Sequence, residues 1–244
     1  MGDAYKMENF YNCEKCNNMG GEYYRDENGY LMWRECGCMK VKKALSRLKM
    51  SGLGQLLKIC TFNTFKVENE WQKNPYEKAK NFVNSETRWF CITGSSGAGK
   101  SHLCTAISRE LLLKQEKSFK FMRWLDDGNE LKRNALDSEF YENLIRELKT
   151  VEVLYIDDFF KSENNTKPTP ADIKLANEIL NYRYDYARSH KERFITIIST
   201  ERSIEQLQEY DMALAGRIIE MTKPDYLVKV FGKEKNYRLI QYVR

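Results

Sequence analysis

No apolar run in the 244 residues approaches the about 20 that a membrane-spanning helix needs. The opening Met1-Gly2-Asp3-Ala4-Tyr5-Lys6 has no apolar stretch of the kind a secretory leader carries. Its Met-Gly start also fails as a myristoylation signal, because position 6 is Lys where Ser or Thr is required. These absences argue against a membrane or secreted protein and lead us to expect a cytoplasmic one. Extreme charge is lacking too. A net charge of +5 is a weak basic bias, compatible with nucleic acid without pointing to it. What is present, 42% hydrophobic and 31% charged residues, suffices for a sizeable core. The length allows one large domain, or one domain with a small module.

Seven cysteines in a cytoplasmic chain should be reduced or metal-bound rather than paired in disulfides. Cys60, Cys91 and Cys104 stand singly among apolar residues and read as small core residues. Cys13, Cys16, Cys36 and Cys38 are different. Cys13-x-x-Cys16 and Cys36-x-Cys38 flank a polar stretch, Gly20 to Trp33, that reads as a hairpin turning at Glu27-Asn28-Gly29. Four thiolates in two short turns match the ligand demand of tetrahedral Zn²⁺, although the second pair is C-x-C where C-x-x-C is usual. A segment this short cannot build much core, so a closed, structural metal site is expected. From Met39 to Lys58 there is no acidic residue, while Lys40, Lys42, Lys43, Arg47, Lys49 and Lys58 are basic. Val41, Ala44, Leu45 and Leu48 share one helical face. We therefore expect a basic helix or helix pair linking two domains.

Gly94-Ser-Ser-Gly-Ala-Gly-Lys-Ser101 is a full match to G-x-x-x-x-G-K-[ST]. The β-prone run Trp89 to Thr93 precedes it, and a helical pattern from His102 to Lys114 follows. In that context Gly94, Gly97 and Gly99 let backbone N–H groups turn inward around a phosphate chain, and the helix start adds positive potential. Lys100 would reach the β- and γ-phosphates and Ser101 would offer its hydroxyl to Mg²⁺. The nucleotide-binding candidates are thus Gly94, Ser95, Ser96, Gly97, Ala98, Gly99, Lys100, Ser101 and His102, for ATP or ADP.

Phe119 to Trp124 reads as a second strand, and Asp126 to Lys149 as helical. The apolar run from Val151 then ends in Asp157-Asp158, a Walker B pattern. Asp157 would hold Mg²⁺ with Ser101, and Asp158 would orient the attacking water. Ser162 to Pro170 reads as a polar, mobile loop. Thr169-Pro170-Ala171-Asp172 starts a helix towards Ser189. Phe194 to Glu201 is a buried strand whose polar end should lie beside the γ-phosphate. Ser199, Thr200 and Glu201 are its sensor candidates, and Thr200 is set with Asp157 and Asp158 among the catalytic residues. The choice depends on register, since a one-residue slip turns a side chain to the other face. A strand near Tyr226 to Phe231 follows.

Together these residues resemble the DnaC/DnaI-type AAA+ helicase loaders, particularly the phage-encoded and mobile-element versions. The resemblance covers nearly the whole chain. It rests on the cysteine pairs ending Cys36-Gly-Cys38, the link Ser51-Gly-Leu…Thr61-Phe-Asn-Thr-Phe65, the P-loop and Ile156-Asp-Asp-Phe-Phe-Lys161, with Gly216-Arg-Ile-Ile-Glu220 and Asn236-Tyr-Arg238. It implies a lidless P-loop AAA+ core with a parallel sheet (61–244), preceded by a zinc-ribbon-like module (1–38) and a basic helical linker (39–60). It also implies that Arg217 is an arginine finger acting on a neighbouring subunit's ATP and that Arg238 is a sensor-2 arginine. The family's zinc module grips a DnaB-type replicative helicase, and its ATPase domains self-associate in a spiral that holds single-stranded DNA. Lys120, Arg123, Lys132 and Arg133 are the DNA-contact candidates. The Ser199-Thr200-Glu201 sensor lacks the Asn common in the wider superfamily. Two alternatives stand beside a loader. One is a transposase-helper ATPase, a group that generally lacks the cysteine module. The other is a nucleotide-gated adaptor that binds helicase but scarcely hydrolyses ATP.

Overall fold

The computed structural model describes residues 12–48, 53–135, 138–190 and 194–237. Its centre is a five-stranded parallel sheet made of β3 (Trp89–Gly94), β4 (Phe119–Arg123), β5 (Val153–Asp157), β6 (Ile195–Thr200) and β7 (Leu227–Val230), in the order β4-β5-β6-β3-β7. Every residue of β3 and β6 is buried, as continuous apolar strands covered on both faces should be. Alternation along the strands sends side chains to two separate cores. Phe90, Ile92, Val153, Tyr155, Ile195 and Ile197 face one way, against α4 (Lys100–Leu113) and α3 (Glu70–Phe82). Trp89, Cys91, Leu154, Ile156 and Ile198 face the other way, against α7 (Pro170–Ser189) and α9 (Met212–Tyr226). Here α9 kinks at Lys223, before Pro224.

The stretch expected as a basic helix or helix pair forms two helices, α1 (Cys38–Leu48) and α2 (Leu53–Ile59). Val41, Ala44, Leu45, Leu53 and Leu57 are buried in the same core as α4 and the sheet. Burying five apolar side chains contributes on the order of 1.5 kcal/mol or more for each of the larger ones, so this segment is fastened to the sheet. Lys40 and Lys43 are exposed, and Lys40 meets Glu152 at 3.2 Å.

Residues 126–149, expected as one helical stretch, form two helices, α5 (Trp124–Arg133) and α6 (Ser138–Thr150). The first closes at Asn134, whose N–H donates to the Glu130 carbonyl. The start of α7 is as expected. Thr169 accepts from the Asp172 N–H, Asp172 reaches back to the Thr169 N–H, and Pro170 occupies the first turn. A last helix, α8 (Ile204–Tyr210), joins β6 to α9. Among the described residues no helix is long and apolar enough to cross a membrane.

Before the sheet, β1 (Gly21–Arg25) and β2 (Leu31–Glu35) pair as an antiparallel hairpin. Asp26 organises its turn, accepting from the N–H groups of Asn28 and Tyr30, with Gly29 at φ 82°. Apart from Gly21 the hairpin is exposed on both faces.

Candidate functional site

The sheet order decides how the site is assembled. In it, β6 lies between the P-loop strand β3 and the acidic strand β5, so the end of β6 is the bridge between the two motifs. The loop after β3 turns at Gly97 (φ 73°) and Gly99 (φ 83°), a backbone region that glycine enters at no steric cost. A Cβ on Gly97 would also run into the Asn236 side chain. The loop feeds straight into α4, whose first N–H groups have no partner within the helix and point at the loop.

Lys100 is 6% exposed and donates to the carbonyls of Gly94 and Ser95, at 2.8 and 2.9 Å. Burial holds its ammonium below the ordinary lysine value, while Glu201, Asp158 and Asp157 pull the other way. Ser101 Oγ donates to Asp157 Oδ1 at 3.1 Å, and Tyr155 Oη donates to the same oxygen at 2.6 Å. A third donor, Ser199 Oγ, also points at Asp157 Oδ1. Ser101 and Asp157 thus bring hard oxygen atoms together beside the phosphate loop, a donor set that suits Mg²⁺, with Tyr155 and Ser199 fixing the carboxylate. Asp158 follows in a left-handed conformation (φ 54°), and its N–H donates to Ser199 Oγ at 3.2 Å.

Lys100, Ser101, Asp157 and Asp158 line a cleft of about 610 Å³, together with Glu201 and Lys161. Its other wall comes from the segment before α3. Thr61 and Thr64 bond to one another there, Phe65 packs edge-on to His102, and His102 Nε2 is 2.9 Å from the Thr61 carbonyl. His102 therefore spends a ring nitrogen on holding this wall. Cys60, expected in the core, lines the cleft, whereas Cys91 and Cys104 are fully buried.

Thr200, set among the catalytic candidates, does not line the cleft. It is fully buried, and its hydroxyl donates to the Phe159 carbonyl at 2.7 Å. Ile92 pairs with Ser199 and Thr93 with Thr200, so Ser199 shares the face of Ile197 and α4 while Thr200 turns to the opposite face. Of the three sensor candidates Glu201 lines the cleft, while Ser199, also fully buried, meets it through the Asp157 carboxylate. Arg217, on α9, is half-buried against the Tyr184 ring at 5.6 Å and does not line the cleft. Arg238 lies outside the described residues. Three of the four DNA-contact candidates are ion-paired: Lys120 with Glu147, Lys132 with Asp172 and Arg123 with Asp126. Arg133 donates to the Asn129 carbonyl. The groove lined by Arg123, Lys132 and Arg133 mixes Asp126, Asp127, Glu130 and Glu163 with these cations, which does not suit a phosphate track.

A second centre lies at the other end of the sheet, where β4 and β5 begin. The ligand atoms of Cys13, Cys16, Cys36 and Cys38 all fall within 4.8 Å of one another. Cys13 and Cys36 sulfurs are 3.8 Å apart, and those of Cys16 and Cys38 3.5 Å. Tetrahedral ligation with Zn–S bonds of about 2.3 Å requires S···S separations of roughly 3.8 Å, so the residues fit zinc. Two turns build the cluster. Met19 N–H donates to the Cys16 carbonyl at 2.9 Å over left-handed Asn17 and Asn18. Met39 N–H donates to the Cys36 carbonyl at 3.0 Å as α1 begins. Cys38 is the first residue of that helix, which accounts for C-x-C in place of a second C-x-x-C turn. Lys15 pairs with Glu116 at 2.9 Å across to the core.

No protein-family model matches the chain. It is 32% identical over 242 residues to the phage-like element PBSX protein XkdC of Bacillus subtilis (strain 168), covering 94% of this chain and 86% of that protein. Over 131 residues it is 35% identical to the replicative helicase loader DnaC of Escherichia coli (strain K12), a match spanning 51% of each. The fold is similar to the crystal structure of the DnaC helicase loader, with a TM-score of 0.59 and 21% identity over 70% of this chain and 96% of that one. The chain belongs to the DnaC/DnaI-type family of AAA+ helicase loaders.

In this family member three contributors escaped sequence reasoning. Tyr155 is two residues before Asp157 on the same face, a position that period-2 alternation could have singled out. Arg183 is fully buried and donates to the carbonyls of Leu148, Lys149, Val151 and Ile195 and to Thr196 Oγ1, knitting α6, α7 and β6 together. Arg202 is 5% exposed and donates to the carbonyls of Phe160, Asn165 and Thr166, holding the polar loop expected to be mobile. Neither arginine carried a local signal.

Proposed function

We infer that the protein is an ATP-switched loader that places a replicative helicase on single-stranded DNA. The observation that carries this reading is the union, in one cleft, of the phosphate loop, Lys100, Ser101, Asp157 and Asp158 within a loader-family chain. Lys100 would leave the carbonyls of Gly94 and Ser95 to compensate the β- and γ-phosphates. Ser101 and Asp157 would hold Mg²⁺, which supplies charge compensation at the phosphates when bound. Ser199 and Tyr155 orient the Asp157 carboxylate, and Asp158 would orient the attacking water. Arg217, outside its own cleft, is suited to act on a neighbour's nucleotide in a self-associated ring or spiral.

The division of labour we propose follows the two ends of the sheet. Residues 1–38 form the helicase-gripping module and 61–244 the ATPase, with 39–60 transmitting between them through its packed helices. The hairpin exposes Tyr23, Tyr30, Leu31, Met32 and Trp33, an apolar surface of the kind that protein partners cover.

Co-purification with the replicative helicase of its host, with and without ATP, tests this reading. The wild type should hold the helicase. Lys100→Ala should lose ATP binding or turnover, and Cys36→Ser should lose helicase more than nucleotide. Absence of helicase binding in both nucleotide states, or wild-type turnover in Lys100→Ala, would refute it. Arg217→Ala should spare ATP binding and cut hydrolysis, on the order of 10³-fold for an arginine finger. Mixed Arg217→Ala and Lys100→Ala subunits should regain activity at shared interfaces. No recovery in a co-assembled mixture leaves Arg217 a structural residue.

A further inference from the structure

The turn after β5 is built to present two charged side chains. Phe159 and Phe160 are buried, stack with centroids 4.1 Å apart and both meet the edge of Trp124. Their carbonyls accept from Thr200 Oγ1 at 2.7 Å and Arg202 Nε at 3.2 Å. The Phe159 N–H donates to the Ser199 carbonyl at 2.8 Å, and the Lys161 N–H to the Asp158 carbonyl at 2.9 Å. Asp158 and Phe160 both take left-handed conformations, φ 54° and 58°, each costing on the order of 1–3 kcal/mol unless the surroundings enforce it. Two buried rings and four hydrogen bonds enforce it here. The result is that Lys161 Nζ lies 2.6 Å from Asp158 Oδ2, and both side chains line the cleft with Lys100 and Glu201.

Unlike Lys100, Lys161 is not enclosed. Its side chain is 47% exposed, so it can swing while its backbone stays pinned. Its hydrogen bond to Asp158 holds it above the ordinary lysine value. A terminal phosphate entering a P-loop brings more negative charge than one carboxylate and competes for that ammonium. In a diphosphate the chain ends one group deeper in the cradle, nearer Lys100.

We propose that Lys161 is a second phosphate-contacting lysine of this cleft, one that pairs with Asp158 until a γ-phosphate draws it away, so that Asp158 is released only when ATP is bound. The proposal rests on the nucleotide-cleft reading above and adds to it a residue that tells triphosphate from diphosphate. Calorimetry on the full chain with Mg²⁺ and either ATPγS or ADP tests it. Lys161→Met should weaken ATPγS by about tenfold, the scale of one lost charge-assisted hydrogen bond, and leave ADP unchanged. Lys161→Arg should recover most of the loss. Asp158→Asn removes the competing carboxylate and should move the other way, tightening ATPγS relative to ADP. That variant serves even where Lys161→Met fails to fold. Equal losses for both nucleotides, no loss for either, or no shift in Asp158→Asn would overturn the proposal. Weak nucleotide binding in the wild type, or binding unaffected by Lys100→Ala, would instead remove the cleft reading on which it stands.

Discussion

The cysteine centre and the nucleotide cleft lie at opposite ends of one sheet, and they are held in place by different means. Around the cleft, β3, β6 and most of β5 are buried on both faces. Among the described residues, the hairpin at the cysteine end is not covered in this way. Its buried cluster is Cys13, Cys16 and Cys38, with Cys36 and Met39 against it, and its strands are almost wholly exposed. It is tied to the core through α1, which starts at Cys38 and packs Val41, Ala44 and Leu45 there, and through ion pairs such as Lys15–Glu116, with Lys15 69% exposed. Exposed pairs of this kind contribute about 0–1 kcal/mol. A packed core can tolerate the loss of one contact. A module whose interior is four thiols cannot.

The largest expected effect tests that contrast directly. Chelating the metal, or substituting Cys36→Ser, should unfold the hairpin, because structural zinc in small modules contributes on the order of 10 kcal/mol. Proteolysis should then cut between residues 12 and 36 while nucleotide binding persists. Metal analysis of untagged protein should find one zinc per chain. A hairpin that resists proteolysis without metal would erase the distinction between the two ends.

An effect of intermediate size comes from the core. Arg183→Leu removes a buried guanidinium and leaves the carbonyls it served without a donor, costing about 3 kcal/mol or more. Denaturant melting should show this loss with metal content unchanged. A loss of zinc in the same variant would mean that the two ends fold as one unit.

The smallest effect is electrostatic. Burial alone would raise the Asp172 carboxyl, but the Lys132 ammonium and the Thr169 hydroxyl and N–H outweigh it, so the group titrates below its ordinary value. The folded state therefore binds this proton less readily than the unfolded chain. The resulting stability is present above the ordinary carboxylate value of about 4 and is lost as the pH falls below it. Asp172→Asn should flatten that acid limb in a pH series of thermal melts. An unchanged acid limb would show that the pair contributes nothing there.

Much of the fold was legible because its signals are local. The strand–loop–helix around Gly94 to Ser101, the apolar run into Asp157 and the Thr169-Pro170 helix start each depend on neighbours a few residues away. The thiol pairs were legible for the same reason, although the helix that begins at Cys38 was not. The break between α5 and α6 was missed because apolar spacing continues across it. Thr200 was chosen over Ser199 because composition does not reveal which of two adjacent residues faces α4.

By itself, then, the sequence determined the motifs, the strands that carry them and the four-cysteine ligand set, because helix and strand periodicity and motif spacing are short-range properties of the chain. Only the tertiary structure decided which residues meet. The insertion of β6 between β3 and β5 brings Ser199 to Asp157 and turns Thr200 away. Burial of α1 and α2 makes the expected linker part of the core. The roles of Arg183 and Arg202 arise from backbone carbonyls that distant segments leave in need of a donor. Pairing register and hydrogen-bond satisfaction across the sheet are properties of the packed whole, so no window of sequence contains them.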